Sequence, residues 1–288
     1  MREREISSVR AEVNCSLPGD ADFAAVARGW LEGGAELFPE LFGELGKGVV
    51  HGGFVDQAPV TARMSRSKFS VAGWKKRLAG LAERPVGLTL TMTGAPDPLP
   101  QPGEPFEKYE WASISMVDEH GGTAGMLRLT IAAGTAASWG TDAGDRWMSF
   151  LAEVVGSVTV VYGEVAVNGN VHHTTAFDSA IGRNHLDSLA QSSEYIRGYS
   201  WITLCPAVLV ERVGGVKGLR ASGAFAEVRL LGSGDVLLLA TSTPQEFDRA
   251  ALRRVWVALA PVLPAGLPKL PIHEEHLEVV LEDAADVR

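Results

Sequence analysis

The fold is predicted from the stretch Glu194–Thr241, EYIRGYSWITLCPAVLVERVGGVKGLRASGAFAEVRLLGSGDVLLLAT. Aromatic and β-branched residues between Tyr199 and Leu204 predict a half-buried strand. Pro206 follows where a helix can begin, because its fixed φ suits the first turn and its missing N–H is not needed there. Gly214 and Gly215 then predict the end or a break of that helix.

A β-hairpin is predicted in the second half of this stretch. Residues 224–231 predict a strand, and four of its apolar residues share one face: Ala224, Ala226, Val228 and Leu230. The glycines at 232 and 234 supply the positive φ angles that a hairpin turn needs. Residues 236–239 are apolar throughout, so we expect that strand to be covered on both faces.

The composition is that of an ordinary soluble globular protein. The chain has 288 residues, 46% of them hydrophobic and 21% charged, which is enough for one large domain or two. A net charge of −9 argues against nucleic acid as a partner, because phosphate binding needs a basic surface. The charged N-terminus lacks the apolar core of a signal peptide, and no apolar run is long enough to span a membrane. With only two cysteines, the sequence predicts a reduced, cytoplasmic protein.

A strand with one wet face is predicted near the start of the chain. Apolar residues at 9, 11, 13 and 15 alternate with Arg10, Glu12 and Asn14, so we expect these three polar side chains to face water. The next predicted elements are a helix capped by Asp20 or Asp22, a strand at 49–55, a helix at 69–81 and a strand at 86–92. We interpret the basic run 75–77 in the second helix as a solvated face. Five prolines between 94 and 105 predict an exposed loop.

An internal repeat indicates the domain organisation. A hairpin, a helix and a strand are predicted across 109–167, and the same order recurs across 224–283. The last element is a closing strand, in which Leu277, Val279 and Leu281 alternate with Glu278, Val280 and Glu282. We therefore predict an α+β fold with two related halves, 1–167 and 168–288, each a mainly antiparallel sheet with packed helices. Between the two repeats we expect a polar segment that contains His172, His173 and His185.

No catalytic motif accompanies this fold. The candidates for a metal site are the histidines of the polar segment, near Asp178 and Asp187, and the run His273–His276. A metal needs three or four converging ligands, and strand alternation would send neighbours of the second group to opposite faces. We therefore interpret both groups as polar loops and predict no metal and no cofactor. Whether the three histidines of the polar segment form a site is left open.

Two further features each have two interpretations. Tyr195, Tyr199 and Trp201 with Arg197 would make an aromatic and guanidinium binding patch, or the aromatic residues share one core face two positions apart. Cys205 lies at a helix start, where the thiol pKa is lowered in some proteins, or it is a buried structural thiol.

Residues 195–241 resemble the C-terminal part of bacterial type VI immunity family proteins, which are immunity components of toxin systems. The resemblance lies in four segments: Arg197–Thr203, Val210–Gly215, Leu219–Ala221 and Leu259–Pro264. It implies a protein that binds and neutralises a cognate toxin without catalysis, and it supplies no functional residues. The alternatives are a small-molecule-binding module or an enzyme with a site between the two halves, for which residues 172–187 would supply the titratable groups.

The C-terminal end is the predicted contact with that partner. Between residues 273 and 288, acids greatly outnumber bases, and the candidate partner-binding residues are Glu274, Glu275, Glu278, Glu282 and Asp283. Concentrated negative charge steers association with a positive partner, so we predict that the toxin is basic. The alternative is that these acids only keep the protein soluble.

Overall fold

The computed structural model describes residues 8–17, 22–42, 51–57, 64–93, 111–119, 126–134, 140–168, 174–270 and 279–288. Ten strands are described: β1 Ser8–Ser16, β2 His51–Gln57, β3 Met64–Lys68, β4 Gly87–Thr93, β5 Trp111–Glu119, β6 Met126–Gly134, β7 Thr159–Val167, β8 Ile202–Cys205, β9 Glu227–Leu230 and β10 Val236–Leu239. The α-helices are α1 Phe23–Glu36, α2 Pro39–Phe42, α3 Val71–Ala79, α4 Ala143–Val155, α5 Ala176–Ala180, α6 His185–Ala190, α7 Ala207–Val210, α8 Gly215–Ala221 and α9 Arg249–Leu259. The predicted α+β class is confirmed.

The chain forms two compact units, each assembled from separate segments. Unit 1 takes the described residues within Met1–Val13, Trp139–Ala152 and Val160–Arg288, and unit 2 takes those within Asn14–Ser138 and Glu153–Thr159. The division of the sequence into related halves at residue 167 stays a prediction.

Unit 2 is an antiparallel sheet with a helix on its apolar face. Its strands follow the order β3, β2, β4, β5, β6, each antiparallel to its neighbour. Helix α1 begins after Asp22, whose carboxylate accepts from the N–H groups of Ala24 and Ala25. The helix packs closely on the sheet, since an added Cβ on Gly34 would come within 3.3 Å of Ile114 and Ile131.

Unit 1 contains the strands β1 (up to Val13), β7, β8, β10 and β9, neighbours in that order. The pairs from β7 onward are antiparallel, and β10 is buried along its whole length, as its apolar run predicts. Helix α9 buries the face predicted from its periodicity: Leu252, Val255, Trp256 and Leu259. Pro206 caps α7, and Gly214 ends the helical turn that follows with φ +84°. A further helix, α8, begins directly at Gly215.

Three sequence expectations are wrong. The polar face of β1 is buried: Arg10 is 6% exposed, Glu12 1% and Asn14 0%. The segment after β7 is helical in part, since it contains α5 and α6. Residues 279–281 form no strand: Val280 is buried, Leu281 is exposed, and the N–H of Val280 donates to the hydroxyl of Tyr199. The strand predicted at 224–231 is observed as β9, and its predicted apolar face is buried at Ala224 and Val228 and exposed at Ala226 and Leu230.

Several predicted features lie outside the described residues: the proline-rich loop 94–105, His172, His173 and the run 273–278. In the part of the chain that is described, no helix has the length and apolar character needed to cross a bilayer.

Candidate functional site

A cluster of charged side chains lies in the interior of unit 1, around Arg197. We call it the Arg197 cluster, and its charged members are Arg10, Glu12, Glu164, Asp178 and Arg197. Arg197 and Asp178 are completely buried, and Glu12 and Glu164 are at most 3% exposed. Charged groups are almost never buried to this degree unless they are paired, so each of them needs a partner.

Arg197 satisfies its charge through two carboxylates from distant parts of the sequence. Its Nη1 donates to Oε1 of Glu12 at 2.9 Å, and its Nε lies 3.3 Å from Oδ2 of Asp178. The same Nε lies 3.2 Å from the hydroxyl of Ser188, which itself donates to Asp178 at 2.5 Å. The guanidinium carbon also stands 5.4 Å from the centroid of the Tyr162 ring, within the range of a cation–π contact.

His185 closes the outer side of the cluster. Its Nδ1 lies 3.1 Å from Nη2 of Arg197. A guanidinium has donors only, so Nδ1 of His185 is the acceptor in this hydrogen bond. His185 is half-buried, so the cluster approaches the surface here.

Two glutamates share the remaining contacts. Arg10 bonds Glu12 directly and places Nη1 3.8 Å from Oε1 of Glu164. Oε2 of Glu164 accepts from the Tyr162 hydroxyl at 2.8 Å and from the Ser200 hydroxyl at 2.6 Å. Arg183, 14% exposed, adds a third guanidinium with Nη1 3.2 Å from Oδ1 of Asp178. Three carboxylates therefore face three guanidinium groups.

Burial and these partners shift the pKa values in the same region. Burial raises the pKa of Asp178, and Arg197, Ser188 and Arg183 oppose that rise. Burial alone would lower the pKa of Arg197, but Glu12 and Asp178 outweigh it and raise it. Burial, followed by the charge of Glu164, raises the pKa of Tyr162 well above its ordinary value.

Short helices position the acidic side of the cluster. The hydroxyl of Thr175 accepts from the N–H of Asp178 and so caps α5, and it donates to the carbonyl of Arg197 at 2.7 Å. Asn184 caps α6 by accepting from the N–H of Asp187. These caps place Asp178, His185 and Ser188 together on the guanidinium of Arg197.

Most side chains of the segment Arg197–Thr203 have a hydrogen-bond partner within unit 1. An added Cβ on Gly198 would come within 2.9 Å of the Thr175 hydroxyl and 3.2 Å of the Tyr162 hydroxyl. Tyr199 accepts from Val280, Ser200 donates to Glu164, and Trp201 donates from Nε1 to the carbonyl of Thr241 at 2.9 Å. Of the two interpretations, the shared core face is therefore the correct one, because Tyr199 and Trp201 are buried in unit 1 together with Arg197.

Cys205 is a buried structural thiol. It is completely buried, and desolvation raises its pKa to about 12, which opposes formation of a reactive thiolate. Cys15 has the same character, with its pKa also raised to about 12 by burial.

The chemistry of the Arg197 cluster is therefore that of a neutralised interior. Its carboxylates are already occupied by guanidinium and hydroxyl donors, and they are out of reach of a substrate in this conformation. Among the described residues, no group of three or more histidine, cysteine, aspartate and glutamate side chains converges as metal ligands do. The cluster stabilises one arrangement of β1, β7, α5, α6 and residues 196–200.

The predicted partner-binding acids are placed only in part. Glu282 is exposed and its Oε2 accepts from Nη2 of Arg253 at 3.0 Å, a bond that lowers its pKa. Oδ1 of Asp283 accepts from the N–H groups of Ala285 and Gly266, which lowers its pKa. Glu274, Glu275 and Glu278 lie outside the described residues.

Sequence reasoning missed Glu12 and Glu164, although one signal was available. Glu164 is a lone acid within the otherwise apolar strand β7, where a buried carboxylate requires a cationic partner.

Comparison with known proteins gives a likeness at the level of the fold. No protein-family profile matches the sequence, and no curated protein matches it. A solved structure entitled "Pseudomonas aeruginosa T6SS protein PA0821" is similar, with a TM-score of 0.52 and 12% sequence identity. The likeness covers 99% of this chain and 83% of that one, and at this identity it shows a shared fold alone.

Proposed function

We propose that the protein is a non-catalytic, immunity-type protein that binds and neutralises a cognate toxin protein in the cytoplasm. The observation that carries the proposal is the fold likeness to a T6SS protein along nearly the whole chain. The resemblance of residues 195–241, with the later segment 259–264, to type VI immunity family proteins supports the same class independently of that comparison.

The Arg197 cluster supports a binding role over a catalytic one. The enzyme alternative would take its titratable groups from residues 172–187, and the described carboxylate and imidazole of this segment that contact the cluster are Asp178 and His185. Both are bound to Arg197, so they are used in holding unit 1 together.

The proposed toxin is basic, and the C-terminal acids contribute to its recognition. The net charge of −9 favours a positive partner in general, and exposed Glu282 and Asp286 place part of that charge at the C-terminal end. Arg253 offsets the charge of Glu282, so we assign recognition to the acids between 274 and 283 as a group.

Co-expression with the product of the neighbouring gene tests the proposal. The toxin candidate should arrest growth alone, and this protein should restore growth and co-purify with the candidate as a stable complex. The decisive measurement is a titration of purified toxin activity against this protein. If the protein acts by binding, we expect neutralisation to be complete at one equivalent and the degree of inhibition not to increase with incubation time.

Two results would contradict binding. Sub-stoichiometric amounts that inactivate the toxin progressively would instead support the enzyme alternative. Failure to bind or neutralise any neighbouring gene product would remove the immunity function altogether.

A further inference from the structure

Unit 2 carries four cations that its fold leaves uncompensated. We call them the basic edge: Arg66 and Lys68 on β3, and Lys75 and Lys76 on α3. All four are exposed, and none makes an ion pair or a side-chain hydrogen bond with the described residues. In a chain with a net charge of −9, this is a local surplus of positive charge.

Arg77, the third member of the same basic run, behaves differently. Its Nε donates to Oδ1 of Asp56 at 2.8 Å, and its Nη2 reaches the hydroxyl of Ser67 at 2.9 Å. These bonds fix α3 against β2 and β3. Arg77 is therefore the structural member of the run, and the neighbouring lysines remain available to a partner.

The strand that carries Arg66 and Lys68 has one open side. Within the described part of the chain β3 pairs with β2 alone, and it ends the strand order. Ser65, Arg66, Ser67 and Lys68 are all exposed. An end strand leaves alternate N–H and C=O groups unpaired, and these form a template for an added strand.

The end strand of unit 1 shows how this chain covers an edge. At β9, Nη2 of Arg220 donates to the carbonyl of Val228 at 3.2 Å, and Arg229 pairs with Glu227 at 2.8 Å. The cations there are used within the fold. At β3, Arg66 and Lys68 have no such partner among the residues that the structure describes.

A cleft runs beside β3 on the side of α3. Its volume is about 380 Å³, and its lining residues are Asp56, Ser65, Lys76, Arg77, Gly80, Pro85 and Leu88. Ser65 and Ser67 point to this side, so strand alternation directs Arg66 and Lys68 to the other face. The floor includes buried Leu88, and Lys76 supplies a cation.

We propose that β3 accepts an extended, acidic segment of a partner protein as an additional strand. Carboxylates at alternate positions of that segment lie opposite Arg66 and Lys68, and the intervening side chains enter the cleft beside Lys76. Main-chain hydrogen bonds hold the segment, and the charges select it. This surface is separate from the C-terminal acids and does not depend on the proposed immunity function.

The same cations exclude the simplest competing occupant. A second copy of β3 would bring Arg66 and Lys68 against like charges, which is unfavourable directly across two strands. Positive charge on an edge strand ordinarily prevents self-association, and here it also defines the complementary partner.

The test uses a short fluorescent peptide of alternating glutamate and valine, measured by anisotropy with the full chain. We expect binding that weakens with added salt, and an affinity loss of about tenfold or more in Arg66→Glu/Lys68→Glu. The matched control Lys217→Glu/Arg254→Glu makes the same change in net charge at exposed positions of unit 1 and should alter affinity by less than about twofold. Circular dichroism confirms that each variant is folded.

Backbone methylation separates strand addition from simple charge attraction. Successive N–H groups of an extended peptide point to opposite edges of the strand. One peptide is therefore methylated on the amides of one edge and a second peptide on the amides of the other edge. If the peptide pairs with β3 as a strand, at least one of the two should bind more weakly than the parent. The proposal would be overturned if both methylated peptides bound as tightly as the unmethylated parent peptide. It would also be overturned if the parent peptide did not bind at low salt. Vesicles rich in phosphatidylserine that bind more tightly than the peptide, through Arg66 and Lys68, would also overturn it.

Discussion

Nη1 of Arg197 lies 2.9 Å from Oε1 of Glu12, and the two residues are separated by 185 positions in the chain. Both side chains are buried, so this single bond fixes β1 to the segment that precedes β8. Replacing a buried pair by apolar residues is often tolerated, but removing one partner leaves a buried charge without compensation.

Arg197→Met should therefore lower the free energy of unfolding by about 3–5 kcal/mol, because it strands Glu12 and Asp178 in the interior. Denaturant melts measure the change. Arg253→Met is the control, since it removes one guanidinium from an exposed pair with Glu282 and should change stability much less. Equal effects of the two substitutions would show that the Arg197 cluster is not a buried network.

Trp256→Ala should cost about 3–5 kcal/mol, because the side chain is completely buried on the inner face of α9. Its Nε1 has no hydrogen-bond acceptor among the described residues. Trp256→Phe keeps a ring and removes that unsatisfied donor, so it should retain most of the stability. A loss below about 1 kcal/mol for the alanine variant in urea melts would contradict the packing of α9.

Gly198→Ala should destabilise the protein by about 1–3 kcal/mol, because the added methyl group would collide with the hydroxyls of Thr175 and Tyr162. Gly29→Ala is the matched control. Gly29 lies in the exposed part of α1 with no heavy atom near its Cβ direction, so alanine should stabilise the helix by about 0.5–1 kcal/mol. Thermal melts that shift in the same direction for both variants would refute the close approach at Gly198.

Stability should fall in alkaline solution. Burial raises the pKa of Cys15 and of Cys205 to about 12, so each thiol keeps its proton in the folded state after the unfolded chain has lost it. The stabilisation is full below about pH 8.5 and decreases by about 1.4 kcal/mol per pH unit for each thiol as the pH rises toward 12. Unfolding measured from pH 8 to 11 should have a shallower slope in Cys15→Ala/Cys205→Ala, and an unchanged slope would contradict the shifts.

Association with the proposed basic toxin should slow in Glu274→Lys/Glu278→Lys/Glu282→Lys, because the reversal removes the attraction that steers the encounter. Stopped-flow mixing across salt concentrations measures the rate. Glu83→Lys/Asp145→Lys/Glu153→Lys, three exposed acids elsewhere in the chain, makes the same change in charge and should affect the rate less. Equal slowing in both variants would contradict a specific role of the C-terminal acids, because the association rate would then depend only on the net charge of the protein.

Periodicity in the sequence predicted the elements whose surroundings are apolar. The continuous run of β10 and the inner face of α9 were both placed correctly, because an apolar side chain has one favourable environment. Alternation in β1 also predicted the strand, but it could not show what covers the polar face. The local sequence around Glu12 is compatible with a carboxylate that faces water and with one that pairs with a buried guanidinium. The guanidinium that decides between them belongs to Arg197, far away in the sequence.

The prediction of a strand at the C-terminal end was wrong for a related reason. Residues 277–282 alternate as a strand does, but the N–H of Val280 is taken by the hydroxyl of Tyr199. That contact joins positions 81 residues apart, and no local window contains it.

The segmented make-up of unit 1 has a consequence for the order of events during synthesis. The first strand leaves the ribosome early, whereas its partners around residue 197 follow only after all of unit 2 has been made. Translation runs at roughly 5–20 residues per second, so Glu12 waits about 10 s or more before Arg197 is available. Unit 2 can fold during that interval, and a nascent chain stalled before Arg197 still lacks the guanidinium that bonds Glu12 in the folded protein.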